Sequence, residues 1–115
     1  MISLIEDNKD AIAALCEQYG VQRLAVFGSA VNGTFDPGTS DLDFVLEFAD
    51  YGPGISNRFI YFANSLESLF GRSVDLVFET KLTNPYFREE VLSTREVIFD
   101  AEERRHAPAR RIARV

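Results

Sequence analysis

The stretch Asp41–Phe48, DLDFVLEF, does most to limit what this 115-residue chain can become. Leu42, Phe44, Leu46 and Phe48 fall on one side of an extended chain, and Asp41, Asp43, Val45 and Glu47 on the other. Successive side chains of a strand point to opposite faces, so a period of two reads as a strand with one wholly apolar face. Such a face must be covered by another layer. Ser73–Phe78 alternates in the same way, with Val74, Leu76 and Phe78 inward and Asp75 and Val77 opposite. Arg23–Phe27 is a short strand that runs directly into Gly28-Ser29, and Glu96–Phe99 is a fourth.

Helical periodicity supplies the covering layer. Ile5, Ile12, Leu15, Cys16 and Tyr19 predict a helix from about Asp7 to Tyr19, closed by Gly20. Phe59, Ala63, Leu66 and Phe70 predict another over about Ser56–Phe70, bounded by Gly52-Pro53-Gly54 and by Gly71. Asn84-Pro85, an Asn cap followed by proline at the first helical position, starts a third that runs to about Leu92. Asn32, Gly33, Asp36, Pro37 and Gly38 mark a loop before Asp41. This order implies an α/β (or α+β) domain, a sheet with helices packed on it.

Composition narrows the function classes. With 46% hydrophobic and 26% charged residues, one packed domain is expected over residues 1–100. No apolar run approaches the ~18 to 20 residues that span a bilayer, and the start lacks a signal-peptide layout. No membrane association is therefore expected. A single cysteine, Cys16, rules out an internal disulfide, fits a reducing, cytoplasmic setting, and lies on an apolar stripe where a buried thiol is expected. The only histidine, His106, is in the last fifteen residues, which excludes a Cys/His zinc site. Of the net charge of −6, residues 101–115 hold +3 through five arginines against Glu102 and Glu103, leaving −9 on the first hundred. An acidic body disfavours direct nucleic-acid binding. The basic tail is expected to be mobile, or ordered only against a partner.

Asp41 and Asp43, two apart on one strand face, set their carboxylates roughly 7 Å apart along the backbone, where they repel. A hard divalent cation such as Mg²⁺ relieves that repulsion and suits oxygen ligands. Asp75 adds a third carboxylate if its strand lies beside the second. Taken alone, these acids also read as the solvated starts of two strands. Gly28 lets a backbone approach a phosphate closely, the amides of a helix start favour anions, and Ser29 adds a hydroxyl donor. The chain has neither a P-loop nor a GxSxG pattern, and no body histidine could activate Ser29 as a nucleophile. Arg58, Arg72 and Lys81 are candidate triphosphate contacts, each also readable as ordinary surface charge.

In order along the chain, LAVFGSAVNG, SDLDFVLEF and GRSVDLVFE, followed by NPYFREEVLSTREVIF, form a specific constellation. The sequence resembles the minimal nucleotidyltransferases of the DNA polymerase beta-like superfamily across nearly the whole body. The resemblance implies the nucleotidyltransferase fold, a mixed three- to four-stranded sheet flanked by helices. It implies nucleotide binding at Gly28 and Ser29, and a catalytic metal set of Asp41, Asp43 and Asp75, with Asp75 as ligand or base. Mg²⁺ (or Mn²⁺) is the implied cofactor and ATP the implied substrate, its AMP passing to a partner protein. Minimal members often act as antitoxins beside an all-helical HEPN toxin, so a HEPN-type toxin or another protein acceptor is the implied partner, in a homo- or hetero-oligomer. Eleven residues, Ala30 to Ser40, separate Ser29 from Asp41, one more than the family commonly has. Three readings stand at this point: an active transferase, a binding module of the same fold that neutralises a partner by contact, and an unrelated α/β domain with surface acids.

Overall fold

The computed structural model describes residues 2–103. Helices α1 (Ser3–Glu6) and α2 (Lys9–Tyr19) precede strand β1 (Val21–Phe27), the short helix α3 (Ser29–Asn32) and β2 (Leu42–Phe48). Helix α4 (Ile55–Phe70), β3 (Val74–Phe78), a 3-10 turn at Glu79–Lys81, α5 (Pro85–Thr94) and β4 (Glu96–Asp100) complete the order. The strands form one sheet in the order β3-β2-β1-β4. β1 runs antiparallel to β2 and β4, while β2 and β3 are parallel. A parallel pair needs a crossover, and α4 is that crossover. The alternating patterns imply a helix-flanked sheet, and its mixed, four-stranded form is the one the family resemblance implies. Among the described residues no helix is long and apolar enough to cross a membrane.

The predicted first helix, from about Asp7 to Tyr19, forms as α2 from Lys9 to Tyr19, but Ile5 of its stripe lies outside it. Ile5 belongs to the separate turn α1, and Asn8 Nδ2 donates to Leu4 O at 2.8 Å across the junction with α2. Gly20 closes α2 at φ 73°, as its position suggested. On one face of the sheet α2 and α4 cover Leu24, Val26, Leu42, Phe44, Leu46 and Phe48, together with Ile12, Phe62, Leu66 and the buried Cys16. The α4 stripe uses Phe62 at its centre, with Phe59 half-buried and stacked on Phe78 at 4.4 Å.

The opposite face carries the acids, and α5 lies across it. Strand register sorts this face into three rows. Phe27, Asp43 and Asp75 are neighbours at one end, and Ala25, Val45 and Val77 in the middle. Arg23 and Glu47 pair at the other end, with Glu79 just beyond β3. Leu82 and Val91 seal the middle row. At the far row Arg23 Nη2 lies 3.3 Å from Glu47 and 3.4 Å from Glu79, and Arg95 Nη1 lies 2.7 Å from Glu79. Arg88 Nη1 donates to the Glu79 carbonyl at 3.1 Å. Burial pushes the Glu79 carboxyl up, but Arg95 and then Arg23 outweigh it and hold the group below its usual range. These charges tie α5 and its flanks to the sheet. The helix begins where Asn84-Pro85 predicts, with Asn84 Oδ1 accepting from the Tyr86 and Phe87 amides at 3.0 Å each. Of the basic tail, residues 101–103 form a helical turn, and 104–115, with all five of its arginines, lie outside the described residues.

Candidate active site

β1 delivers the chain to Gly28, whose φ of 74° and ψ of −143° turn it into α3. The Gly28 carbonyl accepts from the amides of Val31 and Asn32 at 3.0 Å. A Cβ at Gly28 would overlap Asp43 Oδ2 and stand 3.2 Å from Asp43 Cγ. The sequence reading gave this glycine to phosphate approach. In the structure its first duty is to leave room for the Asp43 carboxylate, and its backbone region is one that side chains strain. Ser29, half-buried, opens α3 beside it.

The loop from α3 to β2 is built on Asp36. The Asp36 carboxylate accepts from the Gly38 amide at 2.8 Å, its carbonyl from the Thr39 and Ser40 amides at 3.1 and 2.8 Å, and Ser40 Oγ accepts from the Asp36 amide at 2.9 Å. Arg72 clamps the loop, donating to Ser40 O at 3.1 Å and Pro37 O at 2.9 Å, with its guanidinium 5.2 Å from the Phe35 ring centre. Arg72 is thus a loop clamp. Arg58 is committed as well, to Asp50 Oδ1 at 3.1 Å and Tyr19 O at 3.3 Å, at the end of the sheet away from the acids. Lys81, in the turn after β3, is also at that far end. None of the three candidate cations lines the site.

Asp43 and Asp75 are register partners on β2 and β3, so the third carboxylate arrives where the strand argument required. The Asp43 carboxyl is pushed up to about 6, first by burial, then by a hydrogen bond with Asp75, then by the charges of Asp75 and Asp41. Asp41, exposed just before β2, acts on Asp43 through its charge. Among the described residues no three acids converge into a ready-made metal cage. The donor set nonetheless fits a hard divalent cation, because Asp43 and Asp75 are register-paired oxygen donors in a cleft that no Lys or Arg among the described residues lines.

A cleft of about 530 Å³ opens over Asp43 and Asp75. Gly28, Asn32, Asp43 and Asp75 form one end, Phe27, Val31, Leu76, Val77 and Val91 an apolar floor, and Phe87, Glu90 and Thr94 of α5 the opposite wall. Phe87 meets Phe27 edge-on at 6.2 Å. The wall residues and Asn32 escaped the sequence reading. Phe87, Glu90, Val91 and Thr94 do follow a helical stripe, at i, i+3, i+4 and i+7, which is the signal that could have found them.

Residues 9–98, from the start of α2 into β4, match the model of the nucleotidyltransferase domain family. The protein adenylyltransferase MntA of Thermococcus cleftensis is 38% identical over 68 residues, which span 59% of this chain and 66% of that protein, just under two thirds of its length. A solved structure described as a minimal nucleotidyltransferase superposes with a TM-score of 0.69 at 31% identity, over 83% of this chain and 95% of that one. A chain in the complex of a tri-AMPylated Shewanella oneidensis HEPN toxin with an MNT antitoxin shares the fold, with a TM-score of 0.59 at 19% identity over 89% of this chain and 77% of that one. The chain therefore belongs to the nucleotidyltransferase domain family, and within it to the minimal nucleotidyltransferases.

Proposed function

We propose that this protein is a Mg²⁺-dependent nucleotidyltransferase that moves AMP from ATP to a partner protein, the acceptor being a HEPN-type toxin for which it serves as antitoxin in the cytoplasm. The observation that carries the reading is the Asp43–Asp75 pair, set on adjacent strands beside the Gly28 turn and lining one end of a cleft. Carboxylates so placed gain nothing for the fold and are suited to metal-assisted phosphoryl chemistry. The adenylyltransferase name of the Thermococcus relative and the AMPylated toxin of the Shewanella complex support AMP and a toxin acceptor.

In this reading Asp41, Asp43 and Asp75 hold Mg²⁺ (or Mn²⁺), which when bound offsets the charge of the phosphates. Ser29 supplies a hydroxyl donor to the triphosphate, and the Gly28 turn keeps Asp43 facing it. Asp75, exposed at the edge of the pair, accepts the proton of the acceptor hydroxyl. The acceptor oxygen bonds the α-phosphorus, the bond from that phosphorus to the bridging oxygen breaks, and pyrophosphate leaves. The apolar floor keeps water from competing with the acceptor.

The test is incubation with ATP labelled at the α-phosphate, Mg²⁺ and the toxin. Label should appear on the toxin with the wild type and vanish with Asp41→Asn plus Asp43→Asn, although that variant should stay folded. Label transfer by the double variant would overturn the assignment. Full protection of cells by a variant that transfers nothing would make contact alone the basis of neutralisation.

A further inference from the structure

A nucleoside triphosphate brings several negative charges, yet the cleft offers it no side-chain cation. Asp43, Asp75 and Glu90 are the charged residues that line it, and no Lys or Arg among the described residues does. Every nearby candidate is engaged elsewhere. Arg72 clamps two loop carbonyls, Arg88 caps the Glu79 carbonyl, and Arg23 and Arg95 are neutralised by Glu47 and Glu79 at the far row. A bound divalent ion offsets part of the charge, but phosphoryl-transfer sites also place Lys or Arg on the transferred group, in cis or inserted by a partner. The start of α5, where Phe87 lines the cleft and Tyr86 lies next to it in the chain, has the marks of a docking surface. Tyr86 is 85% exposed and Phe87 43% exposed, adjacent at the start of α5, where the Asn84 cap fixes the backbone that bears them. Exposed aromatics of this kind are typical interface anchors.

We propose that the site is completed in trans: the acceptor protein docks on Tyr86 and Phe87 and inserts a Lys or Arg side chain into the acidic cleft, where it contacts the triphosphate. Charge complementarity selects a basic side chain, and the two rings select an apolar surface beside it. The chain's own basic end is the competing source, and a truncation after Glu103 tests it. β4 runs from Glu96, beside Val26 near the cleft, to Asp100, beside Arg23 at the opposite end, so the chain leaves the sheet away from the site. The inference rests on the nucleotidyltransferase reading and adds to it the chemistry of the partner.

The experiment is calorimetric titration of the non-hydrolysable analogue AMP-PNP with Mn²⁺, into the isolated protein and into its complex with the toxin. Binding at least ten-fold tighter in the complex is expected. One Lys→Gln or Arg→Gln variant of the toxin should lose that gain while still forming the complex. Tyr86→Asp should weaken the complex about ten-fold without altering the isolated protein's melting temperature. Equal affinity with and without the toxin overturns completion in trans while leaving the transferase reading intact. So does a truncation after Glu103 that removes the gain, because the cation then comes from this chain. Absence of nucleotide binding in both states overturns the transferase reading itself.

Discussion

Asn at position 43 should make the metal-free protein more stable at neutral pH and no more stable in acid. Folding raises the Asp43 carboxyl from an ordinary 3.8 to about 6, so the native state binds its proton more tightly than the unfolded chain does. The contribution of this group is therefore most favourable below about pH 4, where it is protonated in both states, and is lost as pH rises through about 6. At ~1.4 kcal/mol per tenfold change, the full penalty at pH 7 would be at most ~3 kcal/mol. Asp43 is half-exposed, and solvent screening reduces that to ~1 kcal/mol. Asp43→Asn removes the charge and keeps an amide that can donate to Asp75, so it recovers that ~1 kcal/mol, or ~4 to 8 °C of melting temperature for a domain this size. Thermal melts in a chelating buffer from pH 4 to 8 read it directly. Wild type should fall relative to Asp43→Asn between about pH 4 and 6 and hold a constant gap above that, and the two should converge below about pH 4. Parallel curves, or a variant less stable at pH 7, would refute the raised Asp43 carboxyl.

Gly28→Ala should cost ~2 kcal/mol through backbone strain and displacement of the Asp43 carboxylate, and abolish Mn²⁺–AMP-PNP binding; unchanged binding in the folded variant would place the nucleotide elsewhere. Glu79→Gln should cost ~1 to 2 kcal/mol near neutrality, measured by urea unfolding. Because Glu79 is held below its usual range, its contribution is present above about 4.5 and lost as pH falls further, so the variant and wild type should converge in acid. Asn84→Ala should lower the urea midpoint by the ~1 kcal/mol of a lost helix cap, with an unchanged slope.

Much of this molecule was legible because its signals are local. The alternation in Asp41–Phe48 and Ser73–Phe78 marks two strands and places Asp41, Asp43 and Asp75 on the faces away from the core, since a period of two cannot be satisfied any other way when one face is apolar. Asn84-Pro85 and Gly20 mark helix ends through backbone chemistry that needs no neighbours. What could not be read depends on which layer meets which. The spacing of Phe87, Glu90, Val91 and Thr94 marks a helical stripe but not the sheet face it covers, so the cleft wall stayed hidden. The commitments of Arg23, Arg58, Arg72 and Arg95 were equally out of reach, because each partner lies far along the chain or on a backbone carbonyl. The break after α1 was missed for a smaller reason: Ile5 keeps helical phase with Ile12 although the chain between them is not continuous helix.

The three rows of the α5-covered face have a consequence for genetics. Cohesion is concentrated in the middle and far rows, where Val45, Val91 and the Arg23–Glu79–Arg95 charges hold α5 down, whereas Asp43 at the near row opposes folding. A copy that loses Asp43 or Asp75 by mutation should therefore accumulate as a folded protein with Tyr86 and Phe87 still on display. Such an allele should behave as a dominant inhibitor: co-expressed with the wild type, it should occupy toxin molecules and shield them from modification in proportion to its abundance.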